Sequence, residues 1–167
     1  NVTVNGNYAY VADGMSGLQI IDISNPSNPT LSGNYNTPGS SWGVTVNGNY
    51  AYVADDNAGL QIIDVSNPAN PTLIGNHNTS GYAYGVTVNG NYAYVAYLNY
   101  GLQIIDISNP SNPTLTGAYS TTGYTIGITV NGNYAYVTDH VFGLQIIDIS
   151  NPSNPTLTGN YDTNGNA

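Results

Sequence analysis

The 167-residue sequence contains no lysine, no arginine and no cysteine, and its nine acidic residues are all aspartate. The formal net charge is therefore −9 at pH 7. Nucleic-acid binding needs protein cations to replace the counterions condensed on the phosphates, and attraction to anionic lipid headgroups needs them too. Without cysteine, neither a disulfide framework nor a thiolate metal site can form. These absences argue against a nucleic-acid partner and against an anionic membrane surface.

Apolar runs of about 18 to 20 residues, the length of a membrane-spanning helix, are also missing, so we expect no membrane insertion. Catalytic motifs are equally scarce. There is no glutamate, so glycosidase-like acid–base chemistry would need two converging aspartates. No serine stands in a nucleophile elbow, and two distant histidines without cysteine do not make a zinc site. The sequence predicts a protein that is not an enzyme and uses no cofactor.

The sequence is built from one unit used four times. The stretch Gly17–Leu31 returns almost unchanged, and Leu18 recurs at steps of 42 residues as Leu60, Leu102 and Leu144. Four such units account for the whole chain to within one residue. We therefore predict a single repeat domain, residues 1–167. Its units are 1–42, 43–84, 85–126 and 127–167.

Each unit has the pattern of four short strands. In the second unit these are 44–46, 50–54, 60–65 and 72–78. Asn47-Gly48 is the strongest short hairpin signal, since a type I′ turn needs positive φ at both central residues. The middle strands are apolar on both faces, so both faces must be covered, as a propeller blade is covered by its neighbours. We predict an all-β protein of propeller blades, four 42-residue four-stranded antiparallel repeats, with a parallel β-helix as the alternative.

Leu18-Gln19-Ile20-Ile21-Asp22 and its three successors, preceded by Gly-Asn-Tyr-Ala-Tyr-Val-Ala-Asp and followed by a Ser-Asn-Pro turn, resemble the LVIVD-repeat β-propellers. The resemblance covers the whole chain, and Gln19 departs from the usual apolar residue. It implies a propeller, often of about seven blades, on secreted or surface proteins that mostly lack an assigned activity. Four blades of this size are few for a closed ring.

An open arc of four blades would leave one apolar face uncovered at each end. On the first blade this face carries Tyr8, Tyr10, Leu18 and Ile20 or their alternates. On the fourth it carries Tyr134, Tyr136, Leu144 and Ile146. Because large apolar patches are not left in water, we expect the chain to associate with itself head to tail. Such a contact closes into a ring or grows into a filament. Asn164-Gly165-Asn166-Ala167 stands in register to precede Asn1 of another copy.

The units differ mainly in two loops, between strands two and three and between one blade and the next. Strand parity places both loops on one face of the propeller, and aromatic residues gather there. The candidate binding residues on this face are Trp42, Tyr82, Tyr84, Tyr100, Tyr124 and Phe142. Exposed aromatic side chains on loops held by a rigid scaffold are typical of binding surfaces. The alternative interpretation is that Trp42, Tyr84 and Ile126 fill the gaps between blades.

The aspartates fall into two recurring positions. Those that end strand three, before Ser-Asn-Pro, are expected to accept backbone N–H bonds from the turn. They are Asp22, Asp64, Asp106 and Asp148. Those that end strand two are Asp13, Asp55 and Asp139, with Tyr97 in the third unit. Asp55 and Asp56 are a weak candidate for Ca²⁺, although the spaced oxygen ligands of a dedicated calcium loop are missing, so we assign no metal site.

Together these patterns predict a non-catalytic extracellular or cell-surface propeller with a structural or adhesive role through self-association. The alternative is a propeller that binds carbohydrate or protein through the aromatic loop face. Asn1-Val2-Thr3 and Asn78-Thr79-Ser80 fit the N-glycosylation pattern. Nine aspartates without a cation also predict mutual repulsion that raises carboxyl pKa values and matches or outweighs the opposite effect of the turn-capping aspartates.

Overall fold

The computed structural model describes residues 1–78 and 81–165 and contains sixteen strands in four separate antiparallel sheets. Each sheet is formed by one sequence unit with its strands in chain order, so each unit is one blade. The predicted propeller-blade architecture is confirmed. Two of the residues discussed above as part of the second glycosylation pattern, Thr79 and Ser80, lie outside the described residues, as do Asn166 and Ala167.

The strands run from the inside of the arc to its outside within each blade. Blade 1 comprises β1 (Val2–Asn5), β2 (Tyr8–Ala12), β3 (Leu18–Asp22) and β4 (Thr30–Tyr35). Blade 2 comprises β5 (Gly43–Asn47), β6 (Tyr50–Ala54), β7 (Leu60–Asp64) and β8 (Thr72–His77). Blade 3 comprises β9 (Ala83–Asn89), β10 (Tyr92–Tyr97), β11 (Gly101–Asp106) and β12 (Thr114–Tyr119). Blade 4 comprises β13 (Thr125–Asn131), β14 (Tyr134–Asp139), β15 (Gly143–Asp148) and β16 (Thr156–Tyr161).

A tight hairpin turn lies at each Asn-Gly dipeptide as predicted, but the predicted type I′ geometry with Asn47 and Gly48 as central residues is wrong, because only the glycine has positive φ. In blade 2, Asn47 pairs with Tyr50 across a two-residue turn of Gly48 and Asn49, and Gly48 at the first turn position has φ of 57°. An L-residue with a side chain rarely adopts such a φ, so glycine makes this hairpin register available. In each blade a bulge interrupts the pairing of the third strand with the outer strand. In blade 2 the pairing register shifts between Ile62 and Ile63 of the third strand.

Adjacent blades pack face to face, always with the same pair of faces. We call the side carrying Tyr52, Leu60 and Ile62 in blade 2, and its equivalents elsewhere, the tyrosine face. The opposite side, carrying Ala51 and Ile63 in blade 2, is the valine face. Three apolar clusters join tyrosine face to valine face, between blades 1 and 2, 2 and 3, and 3 and 4. The core of the protein therefore lies between blades.

The first residues of the inner strands and the links before them line a central cavity of about 390 Å³. Gly43 and Gly85 stand where one inner strand passes the backbone of the next. A Cβ on Gly43 would lie within 3.0 Å of the Tyr84 carbonyl oxygen, and one on Gly85 equally close to that of Ile126. Glycine therefore sets the spacing of the inner strands.

Candidate functional site

The contact between blades 1 and 2 shows what a completed blade interface looks like. Leu18 and Ile20 of the tyrosine face are fully buried, and they pack in one cluster with Ala51 and Ile63 of the valine face. At the inner edge Thr3 Oγ1 donates a hydrogen bond to the Val44 carbonyl, 3.1 Å away. The same positions are buried at the next two interfaces, so the interface repeats with the sequence.

Blade 1 has a valine face that no described residue covers in this way. Val2 is 59% exposed, whereas Val44, its equivalent in blade 2, is 2% exposed. Ala9, Val11 and Ile21 are half-buried, although their blade 2 equivalents are fully buried. The uncovered face of blade 1 is thus its valine face, whose residues alternate along each strand with those of the tyrosine face. Tyr10, Leu18 and Ile20 themselves face blade 2.

Blade 4 leaves its tyrosine face open at the other end of the arc. Tyr136, Leu144 and Ile146 are half-buried, whereas Leu102 and Ile104 at the equivalent places in blade 3 are fully buried. Tyr161 at the outer edge is 71% exposed. The two open faces are complementary in kind, because one is the tyrosine half and the other the valine half of the same interface.

A glycine in each outer strand marks how closely the next blade approaches. A Cβ on Gly33 would lie within 3.0 Å of the Pro68 carbonyl oxygen in the Asn-Pro turn of the following blade. Gly75 and Gly117 stand equally close to Pro110 and Pro152. Gly159, the equivalent residue in blade 4, has no heavy atom of the described structure within 4 Å of its hypothetical Cβ. The space that a following blade would fill is open there.

The aspartates at the end of strand two form a second recurring contact. Asp55 is fully buried. Its carboxylate accepts hydrogen bonds from Thr37 Oγ1 at 2.5 Å, the Gly39 N–H at 2.8 Å and Ser41 Oγ at 3.0 Å. All three donors belong to the segment that links blade 1 to blade 2. Protein donors therefore surround this carboxylate, and Asp56 belongs instead to a backbone bridge with Ala83. These contacts require no Ca²⁺ at Asp55.

Asp139 repeats part of this arrangement in blade 4, namely the bond from the glycine of the link. It is fully buried and accepts a hydrogen bond from the Gly123 N–H at 2.9 Å, in the link from blade 3. Gln145 Nε2 donates a further bond to Asp139 at 3.2 Å. Asp13 is the equivalent residue of blade 1, and it is exposed. No described residue donates a hydrogen bond to its side chain.

The turn-capping aspartates behave as predicted. Asp22 Oδ1 accepts a hydrogen bond from the Ser24 N–H at 2.8 Å, and the other three units repeat this bond at the same distance. Hydrogen bonds from the Ser24 hydroxyl and N–H lower the pKa of Asp22. The pKa values of the equivalent residues are lowered in the same way, by the serine two positions on. They are Asp64, Asp106 and Asp148. The caps, rather than a general repulsion, decide the direction for these four.

The loop-face aromatic residues divide into two groups. The first group lies at the central cavity, where the rings of Trp42 and Tyr84 stack with centroids 5.4 Å apart and Ile126 lies nearby. The second group is exposed on the loops between strands two and three and on the blade links, which meet through backbone bonds such as His140 N–H to Tyr124 O at 2.8 Å. Its members are Tyr82, Tyr100, Tyr124 and Phe142.

Neither a metal-binding cluster nor a membrane-spanning helix is found in the described part of the chain. Residues 1–78 and 81–165 contain no group of three or more histidine or aspartate side chains placed to hold a metal ion. Within the same residues, no helix is long and apolar enough to cross a membrane.

Known proteins resemble this chain in structure rather than in overall sequence. No curated protein sequence matches it. Among solved structures, the computationally designed Ika8 protein has a TM-score of 0.78 at 8% identity, covering 99% of this chain and 49% of that chain. This chain thus spans about half the length of Ika8. The computationally designed Ika4 protein has a TM-score of 0.70 at 9% identity, with 87% of each chain covered.

The family comparison matches almost the entire chain. The model of the LVIVD repeat matches four times, at residues 1–37, 38–79, 80–121 and 122–163. These matches keep the 42-residue spacing of the blades, and each begins in the link that precedes a blade or, for the first, at Asn1. The chain belongs to the LVIVD-repeat family.

Proposed function

We propose that the protein is a non-catalytic structural propeller that associates with further copies of itself head to tail. The tyrosine face of blade 4 in one copy packs on the valine face of blade 1 in the next. The observation that carries this proposal is the pair of open faces, which are the two halves of an interface already made three times within the chain.

The second copy is favoured as the occupant because it matches the open faces residue by residue. Val2 and Ile21 would meet the partner environment that Val44 and Ile63 meet inside the chain. Burial of apolar surface drives such association without charge complementarity, which a chain lacking cations cannot provide. The interface is heterologous, so repeated addition gives a ring if the rotation closes and a filament otherwise.

Gly159→Ala is the sharpest test of this contact. In the isolated chain the new methyl group meets no described atom within 4 Å, so the fold is expected to be unchanged. In the assembly the methyl group would meet the carbonyl oxygen of Pro26 in the next copy, as a Cβ on Gly33 would meet that of Pro68. We expect Gly159→Ala to be folded and to lose self-association, measured by sedimentation velocity over a concentration series.

Two matched variants complete the experiment. Asn160→Ala changes the neighbouring exposed residue to the one that blade 3 carries as Ala118, and assembly should be retained. Gly117→Ala introduces the same methyl group at a covered interface and should destabilise the chain itself. A wild-type chain that stays monomeric at about 100 μM, where a micromolar contact is populated, would refute self-association.

An extracellular, adhesive setting is the finer part of the proposal. The composition supports it, with no cysteine, no cation and a surface solvated by neutral polar residues. The exposed loop aromatics lie on the propeller face rather than on the open blade faces, so an assembly would present them in several copies. Multivalent display raises avidity without new contacts. Immunogold labelling of intact, unpermeabilised source cells tests the location, and labelling only after permeabilisation would contradict it.

A second candidate function is carbohydrate binding by the same loop face. The exposure of Tyr82, Tyr100 and Tyr124 favours it. Aromatic rings with one free face suit the apolar faces of sugars. A glycan array should then give binding that is lost in Tyr82→Ala and Tyr124→Ala and retained in Asn160→Ala. Uniformly negative arrays would remove this candidate.

A further inference from the structure

We infer that Asp13 is the acceptor of an inter-copy clasp whose donors are Thr163 and Gly165 of a second copy of this chain. The inference rests on the proposed self-association and assigns the polar contact that fixes its register. Asp13 lies on blade 1, and the donor segment follows blade 4, so one head-to-tail contact brings them together. The clasp adds a polar contact between the blade link and the end of strand two to a mainly apolar interface.

The contact around Asp55 supplies the template. Its carboxylate uses one oxygen for the Thr37 and Ser41 hydroxyls and the other for the Gly39 N–H. Thr37 Oγ1 and Ser41 Oγ also lie 2.9 Å apart, so the group is a closed hydrogen-bonded network. The network joins the link that leaves one blade to the strand end of the next.

The contact around Asp139 shows that the glycine bond of this arrangement recurs, whereas the Thr121 hydroxyl pairs there with the Thr125 hydroxyl at 2.7 Å. The Gly123 N–H donates to Asp139 Oδ2 at 2.9 Å, as the Gly39 N–H donates to Asp55. A Cβ on Gly123 would collide with Asp139, so the close approach depends on glycine at this place. In both blades the aspartate is fully buried by the link that precedes it.

The repeat carries the threonine and the glycine of this link past blade 4. Thr163 stands 42 residues after Thr121 and 126 residues after Thr37, and Gly165 stands in the same relation to Gly123 and Gly39. Among the described residues no further aspartate of this position follows blade 4 for these donors to meet. Asp13 is the one aspartate of this position that is exposed, and no described residue donates to it.

Assembly needs the hydrogen bonds to Asp13, because the contact between copies would otherwise bury its carboxylate without partners. When blade 4 of one copy covers blade 1 of another, its link excludes water from Asp13. A carboxylate buried without hydrogen bonds costs far more than one that keeps them. No lysine or arginine exists to supply the bonds, so hydroxyl and N–H donors must. Thr163 and Gly165 are placed to do so only if the blades align without a shift of register.

Paired cysteines test this geometry directly, because the natural chain has none. Asp13→Cys combined with Thr163→Cys should give a disulfide between copies under mild oxidation. On a non-reducing gel a closed two-copy ring gives covalent dimer, and a filament gives a ladder. The matched pair Thr37→Cys and Asp55→Cys probes the template contact within one chain, and it should form an intrachain disulfide that leaves the species monomeric on the gel.

The outcomes separate this inference from the proposed function. Suppose that the variant with Asp13→Cys and Thr163→Cys still assembles but forms no disulfide between copies, while the template pair does crosslink. That result overturns the clasp and leaves self-association standing. A monomeric wild-type chain overturns both.

Equilibrium measurements provide the second readout. Asp13→Ala removes the acceptor, and we expect the dissociation constant for self-association to rise on the order of 10- to 100-fold. Asp22→Asn removes the same single charge but keeps a capping oxygen, and it lies on the side of blade 1 that faces blade 2. Its dissociation constant should match the wild type within about threefold, within the precision of the measurement. Equal effects from the two variants would refute the clasp.

Discussion

The rings of Trp42 and Tyr84 lie parallel, with 4° between their planes and 5.4 Å between their centroids. The two residues occupy the same place in successive blade links and meet at the central cavity. Each ring covers one face of the other, so the stack fills the gap between two inner strands. The sequence left open whether these residues fill such gaps or bind a ligand, and the stack favours the first role for both.

Trp42→Ala should therefore reduce stability to a moderate extent. Loss of the stack and of the partly buried indole should lower the free energy of unfolding by about 1 to 3 kcal/mol. Because Trp42 is the sole tryptophan, far-ultraviolet circular dichroism in a urea titration is the appropriate measurement. Met15→Ala, at an exposed loop residue, is the control and should change the free energy by under about 0.5 kcal/mol. Equal stability of both variants would contradict a structural role for the stack.

Acid should destabilise the protein through the four turn caps. Hydrogen bonds from Ser24 and its equivalents hold the pKa values of the capping aspartates below the usual 3.8. A depressed folded-state pKa contributes stability that is fully present above the unfolded pKa and is lost as pH falls through the folded one. The melting temperature should thus be nearly level from about pH 7 to pH 5 and fall below about pH 4.

Differential scanning calorimetry across this pH range checks the prediction. Asp64→Asn keeps a capping oxygen but cannot titrate, so its curve should be less steep below about pH 4 than that of the wild type. A melting temperature that rises steadily as the pH falls from about 7 to 4 would show that mutual repulsion dominates instead.

Salt should strengthen self-association. Each copy carries a formal charge of −9 with no cation to offset it, so two copies repel before their apolar faces meet. Raising the ionic strength from about 0.01 M to 0.15 M shortens the screening length from roughly 30 Å to 8 Å. We expect the dissociation constant to fall several-fold over this range, measured by analytical ultracentrifugation. A constant that rises with salt would indicate an attractive ionic contact.

Equivalent core substitutions should differ in cost according to whether the blade face is covered. Ile62 is fully buried between blades 2 and 3, and Ile62→Ala should cost about 2 to 5 kcal/mol at any protein concentration. Ile146, its equivalent in blade 4, is half-buried on the open face. Ile146→Ala should cost less in dilute solution and approach the Ile62→Ala cost only where the protein assembles. Denaturant titrations at two protein concentrations test this, and equal costs in dilute solution would contradict it.

The blade itself could be predicted from the sequence because its signals are local. The Asn-Gly dipeptide predicted the position of the first hairpin. The predicted strand 50–54 coincides with the observed Tyr50–Ala54. Predicted strand 60–65 is one residue longer than the observed Leu60–Asp64, because the Val65 N–H bonds to Asn49 rather than to the neighbouring strand. Short-range backbone chemistry was sufficient for these elements.

The open face of blade 1 could not be chosen from the sequence. Strand alternation separates Tyr10, Leu18 and Ile20 from Val11 and Ile21, but it does not say which set faces the following blade. That choice depends on the direction in which successive blades are arranged, and no local pattern encodes it. In the structure Leu18 and Ile20 are buried against blade 2, so the valine face of blade 1 is the open one.

The buried aspartates at the strand ends were also missed as a contact. Asp55 and its donor Thr37 are separated by a hairpin, and neither residue type is unusual in a loop. The signal was present in the repeat, since a threonine and a glycine recur two residues apart in the links that reach Asp55 and Asp139.

The glutamine of strand three stands out in the sequence only as a departure from an apolar consensus. In blade 2, however, the Gln61 side-chain amide donates to the Ala58 carbonyl at 2.6 Å and braces the variable loop.

The outer-strand glycines have a consequence for how such proteins change length over generations. Each 42-residue unit carries a glycine that admits the next blade and a proline turn that enters the space beside the previous one. Duplication or loss of one whole unit therefore leaves every junction unchanged, since the new neighbours meet with the same atoms as the old. Recombination between the near-identical units should yield propellers with more or fewer blades without any further adaptive substitution.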